Sequence, residues 1–416
     1  MNSKRTVLAT TLALLLSACG GGNSGVAPAP AGPSGDNGPS DVPAPQIGMF
    51  LDAPVAGIAY RIVGQTEVKQ TNANGEYEYQ PGEQVIFSIG GIELPAVVAT
   101  GIVTPLTVFD TNDLTAPSVV NLARLLQTLD TDGNPENGIT IAAAAHSNAA
   151  GMTVNFADTA AFETSVVNLI ANGGGATELV TSHDAIEHVQ NQLVANGLSL
   201  VGTWKVREVA GLVTTITFLN DGHYLLVQTD PAADESGGPG VEYGTYTWNS
   251  TTGELSVKVV KETDGEWGLS HPLGKTIMEL KNDGTVLEVH DTEDDVAEVF
   301  ALDRLAADAD HPLLGTWKGP AEVCGCELSL VIFTADGDYV MAEIAEADAA
   351  GQSGFEVGTY DWTDGVLSVE ISSDTNGEWG LAEANAQFTL PSVEVQDDSL
   401  VIDLVDEDAF ALTRLP

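Results

Sequence analysis

Leu200-Val201-Gly202-Thr203-Trp204-Lys205 returns later in the chain as Leu313-Leu314-Gly315-Thr316-Trp317-Lys318. More matches follow in the same order. Phe218 with Asp221-Gly222-His223-Tyr224 is echoed by Phe333 with Asp336-Gly337-Asp338-Tyr339. Glu242-Tyr243-Gly244-Thr245-Tyr246-Thr247-Trp248 is echoed by Glu356-Val357-Gly358-Thr359-Tyr360-Asp361-Trp362. Gly265-Glu266-Trp267-Gly268-Leu269 pairs with Gly377-Glu378-Trp379-Gly380-Leu381, and Phe300-Ala301-Leu302-Asp303-Arg304-Leu305 with Phe410-Ala411-Leu412-Thr413-Arg414-Leu415. Blocks matched in order are a duplication, with copies at 199–307 and 311–416. Each copy reads as short alternating stretches cut by turn signals such as Asn220-Asp221-Gly222, Asn282-Asp283-Gly284 and Ala335-Asp336-Gly337. Roughly eight strands per copy, joined mostly as hairpins, predict an antiparallel up-and-down barrel, because closure removes the sheet's edges. Copies of this length imply short strands and little lumen. A β-sandwich is the rival arrangement.

The ends of each copy resemble the lipocalin group. That group carries a Gly-x-Trp on its first strand and an Arg on its last, the guanidinium packing over the indole at the closed end. Gly202-Thr203-Trp204 with Arg304, and Gly315-Thr316-Trp317 with Arg414, match both elements. The resemblance implies two tandem eight-stranded lipocalin-like barrels, each stapled first strand to last by a contact worth ~0.5–2 kcal/mol. It also implies a carrier of small apolar ligands. Trp248, Trp267, Trp362 and Trp379 would then line a cup; repeated aromatics are more often core packing.

Upstream, 47–110 is expected to be a small β-sandwich. Asp52-Ala53-Pro54-Val55-Ala56-Gly57 precedes the strand Ile58 to Val63, and Asn74-Gly75 is a hairpin signal before alternating Glu76-Tyr77-Glu78-Tyr79. Gln84 to Ile89 gives a further strand. The segment resembles the carboxypeptidase-regulatory/Cna-B type of surface module, which implies a stalk or adhesion role and not an enzyme.

Helical patterning occupies 111–198. Pro117 suits a first turn, with Val119, Leu122, Ala123, Leu126 and Leu129 on one face. Further helices are expected over about Thr159 to Asn172 and Ser182 to Ala195, the second opened by Thr181-x-x-Asp184. After the first helix, Asp130, Asp132 and Asn134 alternate as in the start of an EF-hand-type loop, a pattern that suits Ca²⁺. Pro135 replaces the turn glycine, and Ile141 stands where a closing Glu would be, so a helix-ending acidic turn is the competing reading.

The N-terminus speaks to location. Lys4 and Arg5 precede an apolar run from Val7 to Leu16, the pattern of a signal peptide over 1–18. Leu16-Ser17-Ala18-Cys19 resembles the lipobox of bacterial lipoproteins, which implies lipid attachment at Cys19. Gly20 in place of Asp implies the outer membrane. Residues 19–46, rich in Gly, Pro, Ala and Ser, are expected to be a disordered tether.

Lys+Arg number 14 against 60 Asp+Glu, a formal charge of −46, which excludes nucleic acid as a partner. Cys324-Gly325-Cys326 could form a tight disulfide in an oxidising compartment. The seven histidines are scattered, no Gly-x-Ser-x-Gly occurs, and sequence cannot pick a catalytic pair from sixty acids. The expectation is a lipid-anchored outer-membrane protein, periplasmic or surface-exposed, whose non-catalytic domains bind glycan or protein. The alternatives are carriage of a small apolar ligand and a structural envelope role.

Overall fold

The computed structural model describes residues 44–207, 213–229, 237–266, 268–271, 274–282, 284–293, 296–306, 308, 311–320, 325–345, 353–377, 380–381, 392–396, 398–403 and 410–415. Short alternating strands begin it: β1 (Gln46–Phe50), β2 (Val55–Ala56), β3 (Ala59–Ile62), β4 (Lys69–Gln70), β5 (Glu76–Tyr79), β6 (Gln84–Ile89), β7 (Ile92–Glu93), β8 (Val97–Val98) and β9 (Ile102–Val103). They make two sheets, one ordered β5-β1-β9, the other β4-β3-β6-β7 with β8 also on β6. The Asn74-Gly75 turn does not close a hairpin. β4 pairs with β3, whereas β5 pairs with β1, so the turn carries the chain between sheets. Tyr77 then packs edge-on to Phe87 of the opposite sheet, which ties the two layers together.

The helices are α1 (Pro105–Val108), α2 (Pro117–Thr128), α3 (Ala143–Asn148), α4 (Thr159–Asn172) and α5 (Ser182–Ala195). Asp158 caps α4 through Ala161 N at 3.0 Å, and Thr181 caps α5 through Asp184 N at 3.1 Å. Leu122, Leu125, Leu126 and Leu129, with Phe162, Val166 and Leu169, enter the same hydrophobic core as Phe50, Tyr77 and Phe87. Between α2 and α3, β10 (Ile139–Thr140) pairs in parallel with β2. Sandwich and helices therefore share one core. No helix among the described residues is long and apolar enough to cross a membrane.

The first repeat contains β11 (Gly202–Val206), β12 (Thr215–Phe218), β13 (His223–Gln228), β14 (Gly240–Trp248), β15 (Leu255–Glu262), β16 (Thr276–Lys281), β17 (Val286–Glu293) and β18 (Val296–Arg304). Each strand pairs antiparallel with its sequence neighbour except β15 with β16, and β18 returns to β11. Among the described residues, an isolated bridge, Glu254 to Ile277, links the β15 and β16 ends. The second repeat closes as a barrel from β19 (Gly315–Lys318), β20 (Cys326–Phe333), β21 (Asp338–Ala345), β22 (Gly354–Thr363), β23 (Val366–Asp374), β24 (Ser392–Gln396), β25 (Ser399–Asp403) and β26 (Phe410–Leu415). Its corresponding seam, β23 to β24, holds a single pair among the described residues, Val366 with Ser392. In both copies the register slips at a bulge, between Tyr243 and Gly244 and between Val357 and Gly358. A Cβ on Gly244 would sit 2.3 Å from Lys258 O, and one on Gly358 2.1 Å from Glu370 O, so only glycine fits.

Strand alternation sends one set of side chains into each lumen. Trp204, Phe218, Tyr224, Leu226, Met278 and Leu287 fill the first, and Trp317, Phe333, Tyr339, Leu367, Leu400 and Leu412 the second. The opposite set on β12–β14 and β20–β22 meets in a third core, which includes Leu225, Val227 and Val241 from one repeat and Leu330, Ile332, Val340 and Phe355 from the other. Each repeat thus offers the same strands to its twin. Thr203 Oγ1 and Thr316 Oγ1, equivalent atoms, lie 2.7 Å apart, as they must near a pseudo-twofold axis. Lys205 crosses the junction to Asp336 at 2.8 Å and Asp338 at 3.2 Å. Residues Pro45–Pro416 form one compact unit.

Candidate functional site

Each expected staple has its parts in contact. Trp204 and Arg304 are directly opposed across β11 and β18, with the guanidinium 4.4 Å from the ring centroid. Trp317 and Arg414 repeat this at 4.0 Å. Each indole N–H donates to a carbonyl just upstream, Leu200 O or Leu313 O, at 2.8 Å. Arg304 Nη1 donates to Val201 O at 2.8 Å, and Arg414 Nη1 to Leu314 O at 2.7 Å. Both indoles and one Nη of each guanidinium are thus bonded to carbonyls of the chain itself, which makes the staple a device of closure.

Trp248 and Trp362 serve the weak seam. The Trp248 indole donates across it to Met278 O at 3.0 Å, and the Trp362 indole to Val393 O at 3.3 Å. Both pack against their lumen cores. Trp267 and Trp379 lie outside the described residues.

The acidic turn after α2 is drawn tight by its own hydrogen bonds. Asp130 Oδ1 accepts from Thr140 N at 2.8 Å and Oδ2 from Asn134 N at 3.0 Å. Asp132 Oδ1 also accepts from Asn134 N, and its Oδ2 from Asn137 Nδ2. Asp130 and Asp132 are therefore brought together, and Asn134 joins them through its backbone N–H. Cys326 opens β20, is buried and is disulfide-bonded, whereas Cys324 and Cys19 lie outside the described residues.

The chemistry that sequence reasoning passed over sits at the lumen of each barrel. Tyr224 on β13 and Glu242 on β14 both point inward and are buried. Tyr224 Oη donates to Glu242 Oε1 at 2.6 Å, and Leu269 N to the same oxygen at 3.1 Å. Ser270 donates to Oε2 through both N, at 3.1 Å, and Oγ. The second copy repeats the scheme: Tyr339 Oη donates to Glu356 Oε1 at 2.7 Å and Leu381 N at 3.0 Å. The repeated Gly-Glu-Trp-Gly-Leu thus ends in the amide that holds a buried carboxylate. Burial and the facing carboxylate raise the Tyr224 phenol well above its ordinary range, so it remains a donor.

Beside Glu242 in the first barrel stands Asp264. It is 1% exposed, and neither carboxylate oxygen has a hydrogen-bond partner. Burial, then the nearby Glu242, pushes its carboxyl up to about 7. Gly268, at φ +99°, leaves the room: a Cβ there would be 2.6 Å from Glu242 Oε2 and 3.0 Å from Asp264 Oδ2. Glu262 and His271 complete the group, with one ligand atom each from Glu242, Glu262 and His271 all within 4.8 Å of one another. Ser270 Oγ lies 2.8 Å from His271 Nδ1. Here the carboxylate holds the serine and not the imidazole, so a Ser-His-acid relay is not assembled. In the second barrel Asn376 takes the place of Asp264, fully buried with both side-chain polar atoms unpartnered.

Two repeats and a sequence motif could have pointed here. Glu242 and Glu356 are acids at inward strand positions in both copies, a costly placement unless a donor waits for them. The donor comes from a loop distant in sequence, so the pairing is invisible until the barrel closes. Comparison with models of known protein families, with curated proteins and with solved structures gives no match.

Proposed function

We propose that this chain is a lipid-anchored cell-envelope protein whose folded body displays non-catalytic binding surfaces. The observation that carries the reading is the filling of both lumens. Among the described residues, Trp204 and Trp317 are fully buried there with Phe218, Tyr224, Phe333 and Tyr339, a packing that supports display over carriage of a small molecule. Recognition then belongs to the outside of the body. The lipobox at Leu16-Ser17-Ala18-Cys19 and the tether composition after it support anchorage at the outer membrane. A charge of −46 adds solubility and rejects nucleic acid.

Metabolic labelling with an alkyne fatty acid tests the anchor: the wild type should label and Cys19→Ala should not. Protease treatment of intact cells tests display, which predicts cleavage without lysis. Native mass spectrometry separates display from carriage. An apolar ligand retained at one or two copies per chain would overturn the reading in favour of a carrier.

A further inference from the structure

We propose that the first barrel binds one divalent transition-metal ion at the group formed by Glu242, Glu262 and His271, with the unpartnered carboxylate of Asp264 beside it. The inference is independent of the display reading, because it rests on one side-chain group that runs from the buried Glu242 to the exposed Glu262 and His271.

The need for a ligand comes from Asp264. A carboxylate buried to 1% exposure normally finds donors, yet both of its oxygens lack them. It also lies beside a second buried carboxylate, which four hydrogen bonds hold in place. Two such groups repel, and among the described residues no Lys or Arg pairs with any of the four side chains. A cation of charge two held beside them offsets the repulsion. His271 settles the class of ion. Calcium and magnesium select oxygen, whereas a carboxylate-plus-imidazole set at the spacing seen here suits Zn²⁺ and its first-row neighbours.

The molecule contains two comparisons that sharpen the choice. Glu279, Glu288 and His290 also converge on the barrel's outer side, but Lys281 ion-pairs with both glutamates there, so that group has its cation already. In the second barrel Asn376 replaces Asp264, and Asp374 stands where the first has Glu262. Asp374 Oδ1 is occupied by the N–H groups of Asn376 and Gly377. The second barrel therefore has one buried carboxylate fewer at this place, and one ion per chain is expected.

The test uses the full mature chain in detergent, stripped with EDTA and dialysed against ZnCl2, with CaCl2 as a parallel arm. Retained metal is counted by elemental mass spectrometry, and melting is followed with and without zinc. Wild type should retain one more zinc than Asp264→Asn, and only wild type should melt higher with zinc. Asp264→Asn is expected to fold, since Asn376 occupies the equivalent place. His271→Gln, at an exposed position, should weaken zinc binding at least tenfold while leaving the metal-free melting unchanged. Equal zinc in wild type and both variants would mean adventitious binding to surface acids and would overturn the site. Retention of calcium in preference to zinc would overturn the transition-metal assignment.

Discussion

The two barrels share a scaffold and differ in what the scaffold holds. Both have the Trp and Arg staple, the glycine bulge, the Tyr-to-Glu hydrogen bond in the lumen and the leucine amide that supports it. They part at position 264 against 376, where an acid without partners faces an amide without partners. The shared features are those a closed barrel needs to bury a carboxylate at all. The divergent one changes charge and leaves shape alone. The contrast separates residues that make the barrel from residues that give one barrel a chemistry of its own.

The largest expected effect tests whether the scaffolds are equal. Trp204→Ala and Trp317→Ala each remove a fully buried indole and its overlying guanidinium contact, and each should cost about 3–5 kcal/mol in chemical denaturation. Similar losses within a single transition would show one cooperative unit; two separated transitions would show independent barrels. Next comes the junction. Leu330→Ala, on the outer face of β20 but buried against the other repeat, should cost about 2–5 kcal/mol. Val260→Ala, on the exposed outer face of β15, should stay within about 0.5 kcal/mol. Equal small effects would mean that the repeats do not dock through β12–β14 and β20–β22.

Tyr224→Phe and Tyr339→Phe each take one donor from a buried glutamate, and a loss of about 1–3 kcal/mol is expected for both. A pH-dependent effect concerns the N-terminal core, which sets a reference for both barrels. There Asp52 is fully buried, with Gln127 Nε2 donating to Oδ1 at 3.0 Å. Burial raises its carboxyl from 3.8 to about 8. Between those values the folded chain keeps a proton that the unfolded chain has released. This group alone therefore makes stability fall as pH rises, by about 1.4 kcal/mol per pH unit, with no further loss above pH 8. Asp52→Asn should remove that slope in denaturation curves taken across the window.

How far the sequence carried this description depends on distance along the chain. The strand order of both barrels was legible because turns such as Asn220-Asp221-Gly222 punctuate it locally, and the staple because Trp and Arg recur in register. α4 was legible from the spacing of Phe162, Val166 and Leu169 ahead of Gly173, and α5 from its cap, Thr181. The docking of the repeats had a signal that went unread. His223–Gln228 and Cys326–Phe333 are nearly continuous apolar runs, and a barrel strand with one wet face alternates. Those runs are covered on both sides, by the lumen and by the other repeat. The Asn74-Gly75 turn misled because a turn's chemistry fixes local geometry and not the strand that receives the chain. Asp264 was hidden for another reason. Nothing local separates it from the other acids until the Gly268 loop folds over Glu242.

The contact between Thr203 and Thr316 has a consequence for the protein's working conditions. A surface that meets its own copy about a twofold axis is what a homodimer uses, and a homodimer comes apart on dilution. Joining both partners in one polypeptide makes their encounter intramolecular, at an effective concentration that dilution cannot lower. Covalent linkage also ends the obligation to be identical. Each half can change a residue without imposing the change on the other, and Asp264 opposite Asn376 is what that freedom looks like at one position.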